Sequence, residues 1–163
     1  MPYAHDYQLI AWLARAAQNP EEARAQMIDT GMALVQLGSA FAAVRMPGRI
    51  VHSALDTRNP SRVRDLLEER LGGSVILDAR YASDLRYYAL IPGCAASSWT
   101  LGGVAPCLGE GIYLSIPAPF RLAPPGAYWL LRPRFEGDVC RAAALQELLD
   151  QGLARLQNCK LLR

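Results

Sequence analysis

The chain has 163 residues, 52% of them hydrophobic and 20% charged, with a formal net charge of +2. That length predicts one domain spanning 1–163, whose folding buries roughly 70% of the extended chain's surface. The composition excludes wholesale disorder, and so small a net charge gives no argument for nucleic acid by itself.

Between Asp6 and Ala17, residues Leu9, Ile10, Trp12, Leu13 and Ala16 fall at helical spacing. Asn19-Pro20-Glu21-Glu22 starts a second helix, because asparagine caps, proline fits the first turn and the acids suit the positive end of the dipole. Gly31 stops it, so 1–31 reads as a helical N-terminal segment. "MALVQL" (32–37) and "FAAVRM" (41–46) predict strands, with Gly38-Ser39 as a hairpin turn between them. "RIVHSAL" (49–55) predicts a short helix with Ile50, Val51, Ala54 and Leu55 on one face. Asn59-Pro60-Ser61 repeats the helix start, and Gly72-Gly73 ends the stripe formed by Val63, Leu66, Leu67 and Leu71.

"SVILDA" (74–79) and "LRYYALI" (85–91) predict two strands about a polar turn at Ser83-Asp84. Pro92 to Gly103 reads as a loop of small residues containing Trp99. "IYLSI" (112–116) and "AYWLL" (127–131) predict the last strands, neighbours joined by a loop that holds four prolines. Proline fixes φ and withholds an N–H, so this loop should not pair as a strand. Asp138 is expected to cap a final helix, 138–157, carrying Leu145, Leu148, Leu149, Leu153 and Leu156. The order predicts an α+β fold, a mixed or mainly antiparallel sheet with flanking helices.

The first residues lack a basic leader, and no apolar run approaches the ~20 residues of a membrane span. The four cysteines form no C-x-x-C pair, so the expectation is a cytosolic protein with reduced thiols, no metal and no cofactor. Lys160 is the only lysine among seventeen basic residues. That excess of arginine, beside many alanines, reflects coding bias more than a binding strategy.

Few residues carry a chemical signal. His52 sits in a predicted helix with no base or metal partner evident, and reads first as a half-buried helix residue. Asp78 ends a strand, a good place for a metal ligand, but no D-x-D or D-x-E motif accompanies it. Glu68-Glu69 lie among arginines on a helix and read as a solvated face. The glycine pairs lack the lysine and spacing of a phosphate-binding loop. Arg58, Arg62, Arg64, Arg80, Arg86, Arg121, Arg132 and Arg134 offer an anion-binding face or scattered surface charge. Tyr87, Tyr88, Tyr113, Tyr128 and Trp129 offer stacking rings or core. Cys107 follows Pro106 before a strand, without a histidine to activate it.

One pattern extends further. "RYYALIPGCAASSW" followed by "GEGIYLSIPAPFRLAPPGAYWLL" resembles the second half of the prim-pol domain, the N-terminal module of bifunctional DNA primase/polymerases in the archaeo-eukaryotic primase superfamily. It is also similar to a group of small actinobacterial proteins that carry the same pattern without the rest of that enzyme. Arg86-Tyr87-Tyr88 falls on the family's histidine-aromatic-aromatic strand, Gly111 through Pro117 on its Gly-Gly-Tyr strand, and Gly126 with Tyr128-Trp129 on its last motif. The resemblance spans about residues 74–132 and implies a primase-like sheet with the proline loop beside a substrate cleft. The departures fall on the chemistry: no D-x-D precedes the strand, Arg86 stands where the family has histidine, and Cys107, with Glu110 nearby, stands where it has an acid.

The resemblance therefore implies a scaffold whose polymerase chemistry is lost, a non-catalytic binding or regulatory module engaging a protein partner. One alternative is a small enzyme with a cleft built from Cys107, Glu110, Arg86 and His52. Another is a nucleotide or nucleic-acid binding protein. The candidate ligand-binding residues are Arg86, Tyr88, Cys107, Glu110, Arg121, Asp78 and His52.

Overall fold

The computed structural model describes residues 3–161. Helices α1 (Ala4–Ala14) and α2 (Pro20–Thr30) come first, followed by strands β1 (Met32–Gln36) and β2 (Ala42–Pro47). Helices α3 (Gly48–Leu55) and α4 (Pro60–Leu71) lead to β3 (Val75–Asp78) and β4 (Arg86–Ile91). A 3₁₀ turn at Gly93–Ser98 precedes β5 (Cys107–Leu108), β6 (Tyr113–Pro117), β7 (Ala127–Leu131) and the long α5 (Ala142–Leu161). Residues 1 and 2 of the predicted helical segment lie outside the described residues, and helix begins at Ala4.

The helix starts follow their local chemistry. Asn19 Oδ1 accepts the Glu22 N–H at 3.2 Å, and Asn59 Oδ1 accepts those of Ser61 and Arg62 at 3.1 and 3.2 Å. A proline occupies the first turn of each helix, where its missing donor costs nothing. Gly31 (φ 80°) and Gly72 (φ 65°) end the two helices in the left-handed region that residues with a Cβ avoid.

Five strands form one antiparallel sheet in the order β5-β2-β4-β3-β7, while β1 and β6 form a separate antiparallel ribbon. The sheet is apolar on both faces. Tyr87, Ala89 and Ile91 of β4 join Val51, Leu67 and Leu148 in a core beneath α3, α4 and α5. Tyr88 and Leu90 join Ile10, Leu13, Met27, Val35 and Ile116 in a second core beneath α1, α2 and the ribbon. The architecture is thus α+β, with a three-layer cross-section around the sheet.

Three expectations are corrected. Gly38-Ser39 makes a turn, Gly38 N–H donating to Phe41 O at 2.9 Å, but β1 and β2 do not form a hairpin. β2 is buried along almost its whole length and takes a partner on each edge, β4 and β5, whereas β1 alternates buried and open residues and pairs with β6. For the same reason β6 and β7 are not sheet neighbours, since β7 completes the main sheet beside β3. The proline loop between them forms no strand.

Asp138 does not cap the final helix, which begins four residues later at Ala142. Its buried carboxylate instead accepts hydrogen bonds from the Arg134 backbone N–H at 2.9 Å and guanidinium at 3.0 and 3.1 Å. The segment then crosses the end of the sheet, with Cys140 N–H donating to Leu90 O at 2.6 Å.

Packing of α5 on α3 depends on Gly152, where a Cβ would lie 2.4 Å from Ile50 O and 2.8 Å from its Cγ2. Gly152→Ala should therefore lose about 1–3 kcal/mol through overpacking. The loss occurs although alanine is the better helix former by about 1 kcal/mol. Gly103→Ala, whose Cβ would meet nothing within 4 Å, should stay within about 0.5 kcal/mol of wild type. Urea unfolding of both variants measures the difference.

Candidate functional site

The ribbon stands over one side of the sheet and leaves a cleft of about 420 Å³ between them. Its floor is the face of the sheet that carries Ile76, Asp78, Tyr88 and Ala127. Met32 and Leu34 of β1 and Tyr113 and Ser115 of β6 form the opposite wall, and Arg80, Arg121 and Gly126 close the rim. Strand alternation explains the floor. Ile76 and Asp78 lie two apart on β3, so both face the ribbon while Val75 and Leu77 face the helices.

Asp78 is 6% exposed and would be costly as a bare charge there. Arg80 compensates it, with Nε donating to Oδ1 at 3.0 Å, Nη2 donating to Oδ2 at 2.7 Å and the backbone N–H donating to Oδ1 at 3.2 Å. These bonds, against the opposing effect of burial, hold the carboxyl below its ordinary range, and the nearby charge of Arg86 adds to them. Arg86 lies opposite Asp78 in the β3–β4 register and pairs with Asp84 at 3.0 Å.

Arg121 is held by the chain itself. Its Nε donates to Ala127 O at 3.0 Å and Nη2 to Pro125 O at 2.7 Å, while its own carbonyl accepts the Trp129 N–H at 2.9 Å. Among the described residues it has no carboxylate partner, so its charge at the rim is uncompensated. Tyr113 is 44% exposed, and its hydroxyl accepts from Gln18 Nε2 at 2.7 Å, which fixes the ring at the mouth.

Of the seven residues singled out in the sequence, Asp78, Tyr88 and Arg121 meet in this cleft. The other four do not form a cleft of their own. Cys107 packs toward the helix-side core, its thiol pushed up by burial, and pairs with Val44. His52 lies on that same side, its Nε2 2.8 Å from Tyr87 Oη. Arg86 shares the strand parity of Tyr88 and so belongs to the opposite face of the sheet. Glu110 is exposed, with its backbone against Gly38. The sheet therefore separates Arg86 from Cys107 and His52, three of the four residues on which the alternative enzyme reading rests.

Other arginines are occupied structurally, Arg132 by buried Asp6 and Arg134 by buried Asp138. The ribbon wall of Met32, Leu34 and Ser115 carried no sequence signal beyond the open positions of an alternating strand.

A two-metal centre needs several carboxylates converging on one place. The cleft has Asp78 alone, already engaged bidentately by Arg80, and among the described residues no three His, Cys, Asp or Glu side chains cluster to hold a metal ion. No helix among them is long and apolar enough to cross a membrane. In comparisons with known proteins, no family model, curated protein or solved structure matches the chain.

Because the folded-state pKa of Asp78 lies below its ordinary 3.8, its pairing stabilises the fold above that pH and is lost as pH falls through the lowered value. The stability gap between wild type and Asp78→Asn should thus be full at pH 6 and shrink steadily below about pH 4, as read by urea unfolding at each pH. Arg121→Met, which removes two charge-assisted bonds to main-chain carbonyls, should cost about 1.5–3 kcal/mol by the same measurement.

Proposed function

We propose that the protein is a non-catalytic binding module of prim-pol-like build, whose cleft receives a nucleotide. The observation that carries this reading is the convergence, in about 420 Å³, of the uncompensated Arg121 and the exposed guanidinium of Arg80 with the ring of Tyr113. A volume in the range of roughly 300–1,000 Å³ suits a small ligand. The arginines offer donors to a phosphate, and the fixed ring of Tyr113 offers a face to a base. The resemblance in sequence supports the same assignment, since it implies a proline loop beside the cleft, and Arg121 and Gly126 of that loop line it.

The reading is non-catalytic because Asp78 is the only carboxylate at hand and is taken by Arg80. Phosphoryl transfer of the polymerase type depends on metal ions held against the reacting oxygens. Here the chain offers an ion pair where those ligands would have to stand.

A protein partner is the second reading, and one observation favours it. Leu34 and Tyr113, which line the cleft, are 56% and 44% exposed, and Ile112, next to Tyr113 in the chain, is 44% exposed. Exposed apolar side chains grouped in this way mark contact surfaces more often than isolated ones do.

Calorimetric titration with a nucleoside triphosphate tests the first reading. Binding should weaken about tenfold or more in Arg80→Ala and Tyr113→Ala, and should fall with added salt. Wild-type protein that gives no heat of binding in the titration, while capturing a defined protein through Leu34 and Ile112, would replace the first reading with the second. Primer synthesis with Mg²⁺ or Mn²⁺ should give no product. Activity abolished by Asp78→Asn would overturn the non-catalytic assignment.

A further inference from the structure

On the helix side of the sheet, away from the cleft, a cavity of about 360 Å³ lies beside α3. We propose that it is a second binding site, for the doubly charged phosphoryl group of a small phosphate monoester. Arg49, His52, Ser53, Thr57 and Arg58 line it, with Leu156 of α5 as an apolar wall.

Two features point to an anion. Arg49 and Arg58 have no carboxylate partner among the described residues, unlike the arginines that hold Asp6, Asp78 and Asp138. Against them stands one lining carboxylate, Asp56 at the left-handed end of α3, which the two arginines outnumber. The hydroxyl of Thr57 accepts the Asn59 N–H at 3.1 Å, which leaves its own proton free to donate to a ligand. Two cations, a histidine and donor hydroxyls around one cavity offer a dianion what a single helix terminus does not.

His52 gives the site its reporter. Its ring stands edge-on to buried Tyr87, centroids 5.8 Å apart, and Nε2 lies 2.8 Å from the phenol oxygen. Burial and then the charge of Arg58 lower its pKa. The charged and titratable groups around it are Arg49 of α3, Asp56 at its C-terminal end, Arg58 of the following loop, and Tyr87 of β4, with Tyr128 of β7 near Tyr87. Arg155 of α5 donates to the carbonyls of Ser53 and Ala54 at 3.0 Å each. A dianion seated between Arg49 and Arg58 reverses the local sign and favours imidazolium. By reciprocity, protonated His52 then favours the dianion.

The test follows the ring protons of the two histidines, His5 and His52, by NMR, with His5 as the internal control at Arg134 O. Titrated in sulfate against chloride at equal ionic strength, His52 should rise by roughly one pKa unit in sulfate while His5 stays fixed. Arg49→Gln and Arg58→Gln should each reduce that rise and together remove it, with the dispersed spectrum confirming that each variant is folded. Phenyl phosphate should compete with sulfate as read at the His52 ring protons, and should bind there more tightly at pH 6 than at pH 8. Equal movement of both histidines, no movement, or a rise that survives both substitutions would overturn the site. Sulfate binding without competition by phenyl phosphate would overturn its assignment to a monoester. Neither result bears on the nucleotide cleft, which lies across the sheet.

Discussion

The clasp of Arg121 on β7 is the interaction on which the rest of this structure depends. β7 is the outer strand of the sheet, and an apolar outer strand with open N–H and C=O groups invites pairing with another chain. The proline loop cannot extend the sheet, because its prolines lack donors. It folds back instead, and Arg121 supplies one acceptor through its carbonyl to Trp129 and one donor through Nε to Ala127. The same residue thus satisfies β7 and fixes the loop. Trp129 adds a third tie, its indole N–H reaching Pro117 O on β6 at 2.8 Å. Ribbon and sheet are joined at that end, and the space left open between them is the cleft.

That geometry also sets the electrostatics of the site. A guanidinium clamped by carbonyls keeps its full charge, since carbonyls orient it without neutralising it. Asp78 shows the opposite case, a carboxylate whose charge is cancelled in place by Arg80. The cleft consequently presents donors more than acceptors, although the chain as a whole carries a net charge of only +2. Local pairing, and not net charge, decides which sign a ligand meets.

What the sequence made legible was local. Asn19-Pro20, Asn59-Pro60, Gly31 and Gly72 specify helix ends through bonds within a few residues, and those ends are where the sequence puts them. The 3.6-residue spacing of Val63, Leu67 and Leu71 likewise identified a buried face. Strand pairing was not legible, because it depends on partners far along the chain. β1 meets β6 some eighty residues later, and nothing at Gly38-Ser39 distinguishes a turn within a hairpin from a turn between two sheets. Composition carried no signal either: "FAAVRM" and "MALVQL" each have apolar residues at both parities and one polar residue, Arg45 or Gln36, yet only the first is buried on both faces. Asp138 failed as a cap for a similar reason. Its local context suits a helix start, but buried at 2% exposure it is claimed by Arg134 four residues earlier. Asp78, Tyr88 and Arg121 were identifiable as candidates from residue type and strand position. That they share a cleft, while Cys107 and His52 face away from it, follows from strand register, from the fold of the proline loop and from the side on which α3 packs.

Adjacent residues of β4 express that division most directly. Tyr88 looks into the cleft and Tyr87 into the helix-side core, where its hydroxyl meets His52. A one-residue slip of β4 would exchange the two faces and put Tyr87 in the cleft and Tyr88 beside α3. The slip is prevented from both edges, by the six-residue ladder with β2 and the four-residue ladder with β3. Since both neighbours are themselves buried, moving β4 would require repacking two cores at once. The separation of the cleft from the His52 cavity is therefore a property of the sheet's register, and it persists as long as the sheet does.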